Sequence, residues 1–515
     1  MLPTQNGLSR RSLLRSTAAV GLSAIGLPQI GGAQAAGGTL RWGTSDVKAA
    51  ERLDPLVASN GGIQLLAPLV FETLIRRGKN FSLHPCLAER WEHSDNATKW
   101  TFHLRKGVKF HDGSPFTAKD VAYTLRRNLD PKAGSALRKR LEASFDESGI
   151  EIVDDHTLAI RMKRSDTLLP HALPRTYGMI IKEGTVPTTD PKTAIGTGPF
   201  KVNSFQPGQS WEAVRFPQYW EPGRAHVDSI QCVAIPDQTA KVQALLSGAV
   251  DLVDPVDPVV AQQLSSNSAV RIARMPANRM WGIFLSQEVK PFDDIRVRQA
   301  IKLAVDRDLL LKTAYKGQGV TTYDVPVPPS DPYFPPELQK PSNAEAARKL
   351  LAEAGYPNGI EFELFTSPSR VGMVDLAVTF AEAVKPAGIS VKVNQWPAAT
   401  YWDQIWRKRP AYIDYISRRH VHDMIDVVFA KDGAFNGFKF DADGSLRALI
   451  DRAIGEVDEA KQKEMYQQAL LKIHREASGA VPLFEDQTLV LSAKIQGDPF
   501  EFEDPPSYYN MAKRA

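Results

Sequence analysis

The residues whose types and spacing suit chemistry fall in one short stretch, Ser417-Arg418-Arg419-His420-Val421-His422-Asp423. His420 and His422 are two apart, so on an extended strand both rings project to one face beside Asp423. Two imidazoles and a carboxylate on one face suit a metal ion; the same trio also suits a ligand-pocket wall or the solvated end of a strand. His103 and His111 are eight apart on what reads as opposite strands of a hairpin, with no second cluster to complete a metal shell, and read as surface or packing histidines. Ser45 and Lys48 have S-x-x-K spacing without the K-T-G that an acylating serine needs. The chain contains no G-x-S-x-G elbow, H-E-x-x-H helix, Walker loop or G-x-G-x-x-G fingerprint. Recognition is better supported than turnover.

The elements around this stretch alternate between strand and helix. TLRW opens with a strand, and LLAPLVFETLIRRG reads as a helix leading into a strand. In KWTFHL, Trp100, Phe102 and Leu104 fall on one face before a turn at Lys106-Gly107, which predicts a hairpin. Thr117 and Asp120 form a near capping box for a helix burying Val121 and Leu125. IEIVDDHTLAIRMK predicts a second hairpin turning at Asp154-Asp155. DQTAKVQALLSG is a capped helix stopped by Gly248 and followed by the strand AVDLV, the succession of an α/β unit with a parallel sheet. Later come a helix pair over PFDDIRVRQAIKLAVDRDLLLKTAY, a helix opened by Ser342 or Asn343 and closed by Gly355, and the succession IEFELFTS, MVDLAVTFAEAVKPAG, ISVKVNQW as strand, helix, strand. Helices over 444–454 and 458–477 precede TLVLS, a strand expected to return to the first part of the chain.

The whole chain of 515 residues is 43% hydrophobic and 24% charged, enough for two or three domains of roughly 100–200 residues each. That composition excludes disorder, collagen and a disulfide-stapled mini-protein. The net charge of +4 falls to about +1 once Arg10, Arg11 and Arg15 are set aside, so no basic nucleic-acid footprint exists. Those arginines head an apolar, small-residue run ending in Ala33-Gln34-Ala35, the pattern of a secretory signal cleaved after Ala35. The Arg10-Arg11 pair resembles a twin-arginine signal, which predicts a periplasmic protein. Cys86 and Cys232 could pair there or stay two buried thiols.

Several passages resemble one family: LRWGTSDVKAAERLDPL, LAERWEHSDNATKWTFHLRKGVKFHDGSPFTAKDVAYTLRR, AIGTGPFKV, FPQYWEPGRAHVDSI, PFDDIRVRQAIKLAVDRDLLL and ARKLLAEAGYPNG. They are similar to the dipeptide/oligopeptide/nickel-type solute-binding proteins of bacterial ABC importers (family 5). The resemblance implies an α/β, two-lobed, hinge-closing fold with an extra subdomain in the first lobe. The expected layout is a signal over 1–35, a first lobe over 36–278 with its subdomain at about 75–192, a second lobe over 279–483, and a return to the first lobe over 484–515. It also implies a non-enzymatic monomer without cofactor, which takes a small molecule or short peptide between its lobes and docks on a membrane permease.

The resemblance assigns roles residue by residue. Asp423 in HDMIDVVF matches the carboxylate that holds a peptide's α-amino group, a charge-assisted bond of roughly 1.5–3 kcal/mol; Asp426 matches a second acid usually followed by Pro, here Val427. Arg370 in TSPSR aligns with an arginine that clamps the ligand carboxylate, for which a guanidinium fork is suited. His420 falls where many peptide binders have Trp, while Arg419 keeps a cation beside Asp423. Trp396 could match a stacking Trp, and Asn436 in AFNGF an aromatic-Asn pair. Ser59, Asn60 and Gly61 match a segment that pairs with a peptide backbone by strand addition; Gly61 and Gly62 also fit a flexible turn. Ser286 replaces a frequent Asn, and nearby Trp281 is pocket or core. Arg370, Arg419 and two histidines around one acid favour a carboxylate-bearing ligand: a dipeptide, an opine-like conjugate or another small anion. Nickel or a metal chelate on His420 and His422 is the alternative, and a secreted hydrolase the remote one.

Overall fold

Period-two burial in short strands and glycine-stopped helices build one large sheet. The computed structural model describes residues 37–513 except 46, 59, 60, 95, 255, 339, 340, 504 and 505. The expected signal over 1–35 therefore lies outside the described residues.

The strand Thr39–Thr44 buries Leu40 and Trp42 and runs parallel to both Ser229–Ala234 and Leu252–Val253. The last two flank the helix Gln238–Leu246, whose N-terminus is held by Asp237 accepting the Ala240 N–H at 2.7 Å. Gly248, at φ 76°, turns the chain back toward the sheet, a conformation that costs glycine little.

Two long strands, Val270–Leu285 and Ala480–Ser492, pair antiparallel at the middle of an eleven-stranded sheet. On one side lie Ala411–Ser417, Ile360–Thr366 and Ile389–Gln395; on the other lie Leu252–Val253, Thr39–Thr44, Ser229–Ala234, Ser210–Arg215 and Phe200–Gln206, and the short strand Gly319–Thr321 pairs with Ala480–Ser492 off this path. TLVLS is thus part of a strand that pairs with the first half, Leu491 opposite Leu252. The central ladder slips between Met275 and Arg279, where Ala277 takes φ 50° and donates its N–H to Asp486 at 2.9 Å.

Residues Ala36–Ala515 form one compact unit with separate apolar cores. One core gathers Trp281, Phe284, Tyr315, Phe380 and Tyr466; a second, Leu40, Trp42, Leu66 and Phe200; a third, Phe102, Phe116, Val121, Leu125 and Leu158. The helix Ala118–Leu129 that enters the third core carries the expected capping box: Asp120 accepts from the Thr117 N–H at 2.8 Å and the Thr117 hydroxyl accepts at the helix start. Ile150–Asp154 and Thr157–Arg161 form the second predicted hairpin.

The first predicted hairpin is different. Lys99–Leu104 pairs with Ala88–Ser94 before it and Thr157–Arg161 after it, while the segment just after Gly107, the expected second hairpin strand, folds on itself through an isolated bridge from Lys109 to Pro115. Alternation fixed which side chains face the core but left the hydrogen-bonding neighbour open. His103 and His111 are consequently not on paired strands: His103 Nε2 lies 3.0 Å from Glu92, and His111 Nε2 donates to the Gly198 carbonyl at 2.9 Å. Cys86 and Cys232 are buried free thiols in different cores, so the disulfide alternative is not met. Among the described residues, no helix is long and apolar enough to cross a membrane.

Candidate functional site

The strand Ala411–Ser417 ends where the ladder with Arg279 ends, and a helix begins at Val421. Arg418, Arg419 and His420 form the link. Its backbone is tied to the central strand by Arg418 N–H donating to Asn278 O at 2.8 Å. His420 caps the helix Val421–Val428, its Nδ1 accepting the His422 N–H at 3.3 Å. The two histidines are therefore on a helix start, not a strand, and their rings part. His420 lies tilted against His171 at 4.7 Å and meets Tyr333 edge-on, whereas His422 Nδ1 lies 3.1 Å from the Tyr466 hydroxyl. Among the described residues no group of three or more His, Cys, Asp or Glu is placed to hold a metal.

A cavity of about 250 Å3 opens at this link. Gln64, Arg77, Arg175 and Tyr177 line it from the first half, Arg418 and Arg419 from the second, and Asn278 and Gln487 from the two central strands, where the Asn278 amide donates to Gln487 at 2.6 Å. Four guanidiniums surround this small volume, with Glu503 a lining carboxylate.

Most of that charge is balanced within the protein. Arg175 donates to Asp423 at 2.7 Å, and Arg140 lies 3.8 Å from the same carboxylate. Arg140 itself is held by two bonds to Asp166, 2.8 and 3.1 Å, with the Ser144 hydroxyl donating to Asp166 at 2.6 Å. Arg418 pairs with buried Asp331 at 3.2 Å and lies over the Phe81 ring, and Asp426 pairs with Arg447. Burial opposes ionisation of Asp423, but the guanidiniums of Arg175 and Arg140 outweigh it and hold the carboxyl below the usual range. Burial, helped by His171, keeps His420 neutral.

Arg419 differs from its neighbours. It has no carboxylate within ion-pair distance among the described residues; its guanidinium lies 5.2 Å over the Phe435 ring. Burial and the like charge of Arg175 lower its pKa to about 10.

The expected site residues are thus partly gathered. Asp423, Arg419 and His420 come together at the link. Gly61 opens the helix Gly61–Val70, so it offers no extended edge for strand addition, and Gly62 lies in the same helix; Ser59 and Asn60 lie outside the described residues. Trp281 is fully buried, its indole donating to Glu485 at 2.9 Å, and is core. Asn436 spends its amide on the carbonyls of Phe429, Ala430 and Phe440 and does not reach the cavity lining. Arg370 is exposed and donates to the Tyr415 hydroxyl at 3.0 Å, and Trp396 packs edge-on against Phe365; neither lines the cavity. Sequence reasoning missed Arg77, Arg175, Tyr177, Asn278, Arg418 and Gln487. Only the doubled arginine at 418–419 carried a local signal.

Comparison with known proteins gives a consistent picture. Residues 82–425 match the model of bacterial extracellular solute-binding proteins, family 5. The chain is 28% identical to heme-binding protein A of Haemophilus influenzae, over 82% of this chain and 83% of that one. It is 29% identical to the glutathione-binding protein GsiB of Escherichia coli K12, over 67% of each. The solved structure of the binding protein MoaA of A. tumefaciens R10 with mannopinic acid superposes with a TM-score of 0.73 at 26% identity, covering 93% of this chain and all of that one.

Proposed function

Since the chain belongs to the bacterial extracellular solute-binding proteins of family 5, we propose that it is the periplasmic capture component of an ABC importer, taking a short peptide or related amino-acid derivative and handing it to a membrane permease. The observation that carries this reading is the cavity beside the two paired central strands, lined from both halves of the chain. A ligand there touches both halves at once, so its contacts are complete only when the halves are together, and binding and closure are one event.

Direct contacts already join the halves around the cavity. Arg175 meets Asp423, the Thr167 N–H donates to Ile454 O at 2.9 Å, the Ser165 hydroxyl donates to Gly455 O at 2.8 Å, and Gln462 donates to the Thr167 hydroxyl at 2.8 Å. Capture needs no bond-breaking group. The export route read from Arg10 and Arg11, and action as a monomer, belong to the same proposal.

Thermal unfolding against dipeptides, glutathione and acidic amino-acid conjugates tests it. The expected result is a concentration-dependent rise in Tm with at least one class, since a ligand that binds only the folded state stabilises it by mass action. No rise across the panel, or turnover of a bound compound, would sink the reading.

A further inference from the structure

A carboxylate that receives a ligand's ammonium must have a free side. For Asp423 that side is already faced by cations: one oxygen takes the Arg175 bond at 2.7 Å, and the other, without a hydrogen bond from Arg140, still lies 3.8 Å from its guanidinium, so the carboxylate's charge is matched within the protein. A third cation brought to Asp423 would join two guanidiniums already there, in a buried setting where like charges repel strongly. Displacing Arg175 instead would leave that cavity-lining cation without its counter-ion.

The reverse holds for anions. Around the cavity Arg140 is matched by Asp166, Arg175 by Asp423 and Arg418 by Asp331. Arg419 lines the same cavity with no carboxylate within ion-pair distance among the described residues, its guanidinium lying over Phe435 instead. The face of Phe435 offsets part of its charge, but a ring face accepts no in-plane hydrogen bond, so the guanidinium edge keeps donors for a carboxylate. The cavity volume of about 250 Å3 suits a small ligand on the scale of a short peptide derivative.

We infer that the ligand is a small net anion that gives a carboxylate to Arg419 and presents no free α-ammonium group, such as an N-acylated amino acid or dipeptide. This rests on the capture reading above and narrows it: Asp423 organises Arg175 and Arg140 and does not touch the ligand.

Calorimetric titration of the native protein with three probes decides the matter: alanyl-alanine, N-acetyl-alanyl-alanine and N-acetyl-alanyl-alanine amide. The N-acetylated acid should bind at least about tenfold more tightly than either of the others, because each of those keeps an ammonium or loses the carboxylate. Arg419→Gln should lose about tenfold or more for the N-acetylated acid, and Arg419→Lys should recover part of it by restoring the charge without the fork. If Arg419→Gln does not fold, the acid-against-amide comparison on the native protein still decides. Tighter binding of alanyl-alanine than of its N-acetyl form, or equal binding of acid and amide, overturns the inference while leaving capture intact. Failure of all three probes overturns the inference, and only a flat response to the broader panel as well counts against capture.

Discussion

At the residue scale, the buried arginine-aspartate cluster makes Asp423 a structural liability when altered alone. Asp423→Ala strands Arg175 and Arg140 without a shared counter-ion, and breaking a buried pair from one side costs about 3–5 kcal/mol. Urea denaturation should show this as a lower midpoint without ligand present. A second prediction concerns protons. His111 and His171 are both lowered to about 4, burial being the main cause, so the fold takes them neutral whereas the unfolded chain protonates them near the ordinary value of 6.5. Their contribution is therefore complete above that value and is lost as pH falls from 6.5 toward 4, by up to about 3 kcal/mol apiece. Stability measured between about pH 7 and pH 4.5 should fall with acidification, and His111→Gln or His171→Gln should each flatten the slope. A slope unchanged in both variants would mean other groups carry it.

At the element scale, the helix Ala118–Leu129 depends on its first turn. Thr117→Ala removes the hydroxyl that accepts the Lys119 N–H at 3.3 Å and should cost about 1 kcal/mol in denaturation, with ligand affinity unaltered. That cap was readable from Thr117 and Asp120 alone, because a cap is a contact between residues three apart. Strand partners were not so readable. Trp100, Phe102 and Leu104 gave the buried face of their strand, yet alternation carries no information on its partners, Ala88–Ser94 and Thr157–Arg161. The histidine pair failed for a related reason. An extended reading put His420 and His422 on one face, but the strand ends at Ser417 and the helix beginning at Val421 turns their rings into different packing.

At the scale of the whole molecule, contacts remote from the cavity lining also join the two halves of the chain. Gln462 donates to Thr167, Ala453 and Glu456 in one cluster, and Arg164 meets Asp451 at 3.0 Å. Gln462→Ala should shift the population toward an open form: a larger radius of gyration in solution scattering, and ligand affinity weakened about tenfold although no ligand contact is touched. An unchanged radius and affinity would show that these contacts do not set closure. The sequence by itself determined the family, the alternation of strands and helices, the caps, and the segment carrying Arg419, His420 and Asp423, because local periodicity and long ordered passages encode them. The charge state of the cleft was decided only by the tertiary structure. Arg140 and Arg175 reach Asp423 across sequence separations of more than 240 residues, and nothing local to PRTYG or LRKRLE announces that. Pairing of buried charges depends on which side chains the fold brings within a few ångströms, and that choice alone pairs Asp423 with Arg175 and sets Arg419 over the Phe435 ring.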